Sequence, residues 1–198
     1  MRRLRCGDAG QAFPIYITVV GGLLFLAFAY FAVGQASANR NGAQTAADAA
    51  ALAAAQETRD QLADRWIDDV LDPTTWRGIF EGDVTGLRPS CWRGEQLAAR
   101  NDARVLSCQP EGLLGFAVDV ETNRPVGDSI VPGTEDKKSR ASATAVIEPA
   151  CTFDPPVPDA EGDQLPQLAC RDKQWDLDPE NLEDLPTAEE LFDVHLAD

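Results

Sequence analysis

Few residues of this chain have the types and spacing that catalysis or metal binding requires. Carboxylates alternate twice, in residues 159–163 and again in residues 176–180. Alternating carboxylates are typical of a calcium loop, which also needs a glycine at its sixth position and a bidentate glutamate at its twelfth. Neither segment has them, since the corresponding residues are Gln164, Cys170, Asn181 and Thr187. We therefore predict a solvated acidic segment and no metal site.

Catalytic motifs are also missing from the sequence. The only histidine, His195, lies in an apolar stretch near the end of the chain, where a packing or surface role is the ordinary one. No nucleophile elbow or phosphate-binding loop occurs. We predict a non-enzymatic protein without a cofactor or a small-molecule substrate. We expect the four tryptophans to fill the core, and the alternative is that they form a binding patch. They are Trp66, Trp76, Trp92 and Trp175.

The cysteines indicate an oxidising compartment. Cys6 precedes a long apolar run, whereas the other four cysteines follow it, and an even number of exported cysteines favours disulfides. Three connectivities are possible. Sequential pairing closes the two shortest loops, so we predict bonds Cys91–Cys108 and Cys151–Cys170.

The apolar run from Pro14 to Gly34 is 21 residues long and follows Arg2, Arg3 and Arg5. A helix rises about 1.5 Å per residue, so this run covers roughly the 30 Å of hydrocarbon in a bilayer. Basic residues collect on the cytoplasmic side of a span, and only Arg40 follows this one closely. We therefore predict a single-pass cell-membrane protein with a cytoplasmic N-terminus and an extracytoplasmic C-terminal domain.

A cleavable signal peptide is the alternative to a retained anchor. Ala36-Ser37-Ala38 is an A-x-A site behind a basic, apolar leader, and cleavage there would release a protein that begins at Asn39. The apolar region of about 19 residues exceeds the roughly 7–15 residues of a signal peptide, which favours retention. In both cases most of the chain is exported.

A strongly helical segment follows the span. Nine of the 13 residues from Ala43 to Ala55 are alanine, the best helix former, and helical periodicity continues until Asp72-Pro73. We predict one helix from Pro14 to Leu71 with a weak point at residues 39–42. Small residues let helices approach closely. The alanines are explained either by the stability that they give to the helix or by a surface that packs against another subunit. The residues of that predicted packing surface are Ala43, Ala46, Ala47, Ala50, Ala51 and Ala54.

The remaining pattern is that of a small α+β domain. Residues 103–108, 113–121 and 140–148 read as strands because apolar and polar residues alternate in them. We predict a three-stranded antiparallel sheet covered by the end of the long helix and by a short helix at residues 94–101. Residues 73–89 are predicted as a turn-rich connection.

The C-terminal part holds seven prolines between Pro149 and Pro186 and is predicted to form no regular core. Thr187 and Glu190 then form a capping box before a short terminal helix or strand. The predicted organisation is a cytoplasmic leader (1–13), a transmembrane helix (14–35), an alanine-rich extracytoplasmic helix (36–72), an α+β domain (73–148) and a disulfide-tied, acidic, proline-rich tail (149–198).

The charge of the chain limits its partners. Its formal net charge is −16, and the first eight residues contribute three arginines and one aspartate. The exported part therefore carries 14 basic and 32 acidic residues. Phosphate contacts need a basic face, so nucleic acid and anionic lipid surfaces are expected to be poor partners for this domain.

The order of these features resembles a known family. A basic leader, the residues Gly10-Gln11-Ala12-Phe13, a single span and the A-Q-T-A-A-D-A-A-A-L-A-A-A segment (43–55) are similar to the TadE/TadG-like proteins of tight-adherence (Flp-type) pilus systems. The likeness extends over about residues 8–60, and more weakly over residues 100–151. It is closest to the versions from high-GC Gram-positive bacteria.

The resemblance implies a pilin-like or accessory component of a pilus or related secretion system, with other membrane subunits as partners and self-association as a further option. A pilin-type cut after Gly10 would place Ile15 where such sites have a glutamate. The alternative function is a secreted or anchored cell-envelope binding module.

Overall fold

The computed structural model describes residues 12–125, 136–154, 165–171, 173–182 and 184–197. Cys6, Gly10 and the acidic segment 159–163 lie outside this part. The helices are α1 (Ala12–Asp68), α2 (Pro73–Phe80), α3 (Cys91–Arg100) and α4 (Ala188–Leu191). The strands are β1 (Ala103–Pro110), β2 (Gly115–Thr122), β3 (Arg140–Pro149), β4 (Cys151–Phe153), β5 (Leu168–Cys170), β6 (Lys173–Trp175) and β7 (Phe192–Leu196).

Helix α1 is 57 residues long and has no interruption at the predicted weak point, residues 39–42. The side chain of Asn39 donates hydrogen bonds to the backbone carbonyls of Arg124 and Pro125, at 3.2 and 3.3 Å. Tertiary contacts thus begin at the segment where the helix propensity is weakest, and such contacts commonly override propensity. The helix is therefore continuous through the segment that was predicted to be weak, and it ends at Asp68 rather than Leu71.

The main sheet has four antiparallel strands in the order β1-β2-β3-β7, which corrects the predicted three. The additional strand is the C-terminal segment, whose residues Phe192 to Leu196 pair with Pro149 to Ala145 of β3. Glu190 accepts a hydrogen bond from the backbone N–H of Thr187 at 2.8 Å, so the predicted capping box forms just before it. The first two predicted strands are paired with each other as β1 and β2.

The core lies between one face of this sheet and α1, with α3 packed beside α1. Alternate residues of β2, Phe116, Val118 and Val120, are buried against the helix. At the far end of α1 an aromatic cluster joins the elements: its members are Trp66, Trp76, Phe80, Phe153 and Phe192. The α+β class with a long apolar N-terminal helix is therefore confirmed.

Two segments predicted to lack regular structure contain some. Residues 73–80 form α2, because the Asp72 side chain accepts a hydrogen bond from the Thr74 backbone N–H and Pro73 occupies the first helical turn. Within the proline-rich tail, β4, β5 and β6 form a second antiparallel sheet in which Leu168 is fully buried. The disulfide between Cys151 and Cys170 joins β4 to β5 and holds this small sheet together.

Candidate functional site

Side chains able to bind a metal ion do not form a candidate metal site in the residues that the structure describes. Within the described ranges, no group of three or more His, Cys, Asp or Glu residues could hold a metal ion. A surface depression of about 500 Å³ lies between α1 and β3, where Gln44 donates a hydrogen bond to Asp48 at 2.7 Å. Its other lining residues are Ser142, Ala143, Thr144, Leu196 and Ala197.

His195 lies on the edge strand β7 among charged side chains. Its Nδ1 lies 3.5 Å from an Asp193 carboxylate oxygen, and its Nε2 lies 3.9 Å from one of Glu148. The Arg171 guanidinium lies 2.8 Å from Asp193 and holds the pKa of that carboxyl below its ordinary value. The His195 side chain is 42% accessible and touches no group that would make it a catalytic base in the described residues.

The four tryptophans do not converge on a patch. Trp66 and Trp76 are fully buried and contact each other, with ring centroids 5.3 Å apart. Trp92 is half exposed beside Arg93, and Trp175 lies under Lys173 in the small sheet. A binding surface made of all four is therefore not present.

The most distinctive feature is the division of α1 into two halves. From Phe13 to Val33 its large apolar side chains are exposed: Phe25 is 67% and Tyr30 is 83% accessible. In the part of the chain that the structure describes, α1 is the one helix long and apolar enough to cross a membrane, and none of its most apolar stretch is buried inside the protein. An exposed apolar surface of this size fits a bilayer, and the helix fits a single-pass anchor.

The second half of α1 is the spine of the domain. All six alanines of the predicted packing surface have no accessible surface: Ala43, Ala46, Ala47, Ala50, Ala51 and Ala54. They pack against α3 and the sheet of the same chain, and the expected surface for another subunit is therefore internal. Alanine is needed because α3 approaches closely, as shown by Gly94, where an added Cβ would lie 2.9 Å from the carbonyl oxygen of Ala50.

Comparison with known proteins identifies this helix. Residues 10–57 match the family described as Putative Flp pilus-assembly TadE/G-like. The N-terminal part of the chain is therefore TadE/G-like, and the resemblance predicted from the sequence is confirmed. No curated protein matches the chain, and no solved structure matches it. The matched residues reach from just before α1 into its alanine-rich half, while the sheet lies outside the match.

The TadE/G-like helix is joined to the sheet at Asn39. Besides its two bonds to the backbone after β2, its side-chain oxygen accepts a hydrogen bond from the Thr122 hydroxyl at 3.3 Å. Thr122 in turn bonds through its backbone N–H to the carbonyl of Ser139, just before β3. The turn of helix that follows the apolar half is thus hydrogen-bonded to the end of the β2–β3 pair where β2 ends and β3 begins.

Sequence reasoning missed two polar rows on the outer face of the sheet. Asp119 accepts hydrogen bonds from Ser107 on β1 and Ser142 on β3, which hold the pKa of its carboxyl below the ordinary value. Arg104 and Arg140 both pair with Glu121, at 2.6 and 2.9 Å, and likewise lower its pKa. The alternation of polar residues in each strand was visible, but which polar residues face one another depends on register.

Two disulfides tie the domain that follows the TadE/G-like helix. Cys91, the first residue of α3, is bonded to Cys108 on β1, and Cys151 on β4 is bonded to its direct partner Cys170 on β5. This is the sequential pairing. The first bond holds α3 against the sheet edge, and the second closes the stretch of chain that contains residues 159–163.

Proposed function

We propose that this chain is a non-catalytic, membrane-anchored, pilin-like accessory component of a Flp-type (tight-adherence) pilus or a related secretion system. One observation carries the proposal: the exposed apolar half of α1 runs without a break into the core of the sheet domain. A helix that is both anchor and core allows no swivelling linker between them. The domain is thereby held at a fixed height and rotation above the membrane, as a component of an ordered assembly requires.

The proposed orientation places the sheet domain outside the cytoplasm. The arginines at the start of the chain favour a cytoplasmic N-terminus. Two disulfides in the domain suit an oxidising compartment. Cys6 offers a direct test, because it is the one cysteine outside the two bonds. A membrane-impermeant maleimide is expected to label Cys6 only after the membrane is permeabilised. The same reagent is expected to label a cysteine introduced by Ser37→Cys in intact cells. Labelling of Cys6 in intact cells would reverse the orientation.

The proposed partners are other membrane subunits, including further copies of this chain. With the alanine surface internal, the part of α1 left to contact them is the exposed apolar half. A photo-crosslinking residue at Phe25, which is well exposed in mid-span, is therefore expected to form adducts with membrane subunits encoded beside this chain. An adduct of twice the chain mass reports self-association. Adducts with lipid alone would contradict the assembly role.

One observation favours the alternative, a secreted envelope-binding module. Contacts with the domain start at Asn39, the residue that cleavage after Ala38 would make the N-terminus, so the released domain would keep its core. The position of the mature N-terminus distinguishes the two proposed functions. We expect envelope fractions to hold the chain with its span retained. A protein that begins at Asn39 in the medium would instead support secretion.

A further inference from the structure

The charged side chains of the domain are unevenly distributed along the direction of the α1 axis. The bonds of Asn39 place the Thr122 end of β2 and the start of β3 beside the turn of helix that leaves the apolar half. We call the charged residues at this end the proximal rim. Its described cations are Arg40, Arg104, Arg124, Lys137, Lys138 and Arg140, and its described carboxylates are Asp102, Glu121 and Asp136.

The rim contrasts with the rest of the molecule. The sequence between Pro125 and Asp136 also contains Asp128 and Glu135, and with both of them counted six cations still exceed five carboxylates. Beyond the rim and the first eight residues, the chain has eight basic and 27 acidic residues. The overall charge predicted poor contact with anionic lipid, but the fold collects the available cations at the end nearest the membrane.

The side chains of the rim are available. Glu121 has only 8% of its side chain accessible, whereas the two arginines that cover it, Arg104 and Arg140, are 60% and 71% accessible. This cluster therefore presents positive charge outward. Lys137 and Lys138 are exposed and make no ion pair with any described residue.

The height of the rim matches the headgroup layer. Asn39 lies five residues beyond Gly34, the end of the apolar run, which is about 7.5 Å along a helix. The headgroup layer extends roughly 5–8 Å beyond the hydrocarbon on each side. Lysine and arginine side chains are long enough to reach phosphates from this level. We propose that the proximal rim docks on the phosphate groups of anionic lipids in the membrane that α1 crosses.

This inference rests on the proposed membrane anchoring but not on a role in a pilus. The test uses the full chain in nanodiscs of phosphatidylcholine, with and without phosphatidylglycerol, and measures amide hydrogen exchange in residues 136–141. Exchange is expected to slow in the anionic discs, on the order of five-fold for each lysine that engages a phosphate. High salt should abolish the difference, because such contacts are screened.

Charge reversal identifies the residues responsible. Lys137→Glu with Lys138→Glu should remove the difference between the two discs. Arg77→Glu with Arg88→Glu changes charge equally at exposed sites away from the rim and should preserve it. Intact disulfides and an unchanged circular dichroism spectrum would show that each variant is folded. Equal exchange in both discs, or the same slowing with inorganic phosphate in neutral discs, would overturn the proposal, while incorporation into discs reports anchoring separately.

Discussion

Gly94 of α3 lies against the backbone of Ala50 in α1, where an added Cβ would stand 2.9 Å from the Ala50 carbonyl oxygen. The two helices therefore meet backbone to backbone. Gly94→Ala is expected to destabilise the domain by about 1–3 kcal/mol, because the helices must separate to admit the methyl group. Gly42→Ala is the matched control, since Gly42 is helical with open space around it, and should stabilise by about 0.5–1 kcal/mol. Chemical unfolding of the full chain in detergent measures both.

The second prediction concerns the buried alanine surface. Ala47→Leu with Ala51→Leu adds bulk at two positions one helical turn apart that have no accessible surface. We expect the free energy of unfolding to fall by about 3 kcal/mol or more, because a close-packed interface has no space for two leucine side chains. Ala38→Leu, at an exposed position of the same helix, should leave the unfolding midpoint nearly unchanged. An unaltered midpoint in the double variant would mean that these alanines face outward.

The third prediction concerns the bond between Cys91 and Cys108. Mass mapping of unreduced peptides should find this pair and the Cys151–Cys170 pair. Replacing Cys91 and Cys108 by serine opens a loop with a sequence separation of 17 residues and is expected to cost about 3 kcal/mol. Cys6→Ser should have no effect on the same unfolding curve. Free thiols at positions 91 and 108 in protein from the envelope would contradict the prediction.

The fourth prediction concerns acid stability. Arg104 and Arg140 hold the folded-state pKa of Glu121 below its ordinary value of 4.5. The resulting stability is present above pH 4.5 and is lost as the pH falls through the lower, folded-state pKa. Glu121→Gln should therefore lower the melting temperature at neutral pH and flatten its decline below pH 4.5. Glu95→Gln, at an exposed position of α3, should keep the wild-type profile. Identical profiles for all three proteins would show that the cluster adds no stability.

Much of the fold could be predicted because its signals are local. Composition or periodicity within a few residues is enough to predict the apolar run and the alanine-rich helix. The same is true of the three strands, residues 103–108, 113–121 and 140–148. The order of α1, α3 and the first three strands follows from these patterns. The capping box of Thr187 and Glu190 also marked where the last ordered segment begins, but it could not tell whether a helix or a strand follows.

What the sequence alone determined, then, is a helix long and apolar enough to span a membrane, its TadE/G-like character and the segments that form the sheet, since each depends on side chains close together in the chain. Only the tertiary structure decided what those segments touch. The tertiary structure packs Ala47 and its neighbours against other elements of the same chain and pairs Phe192–Leu196 with β3. It also links Asn39 through Thr122 to Ser139, which lies between Lys138 and Arg140 in the sequence. The physical reason is that an alanine face, a strand edge or a lysine has the same local pattern whatever covers it, and its partner is selected by contacts between residues far apart in sequence.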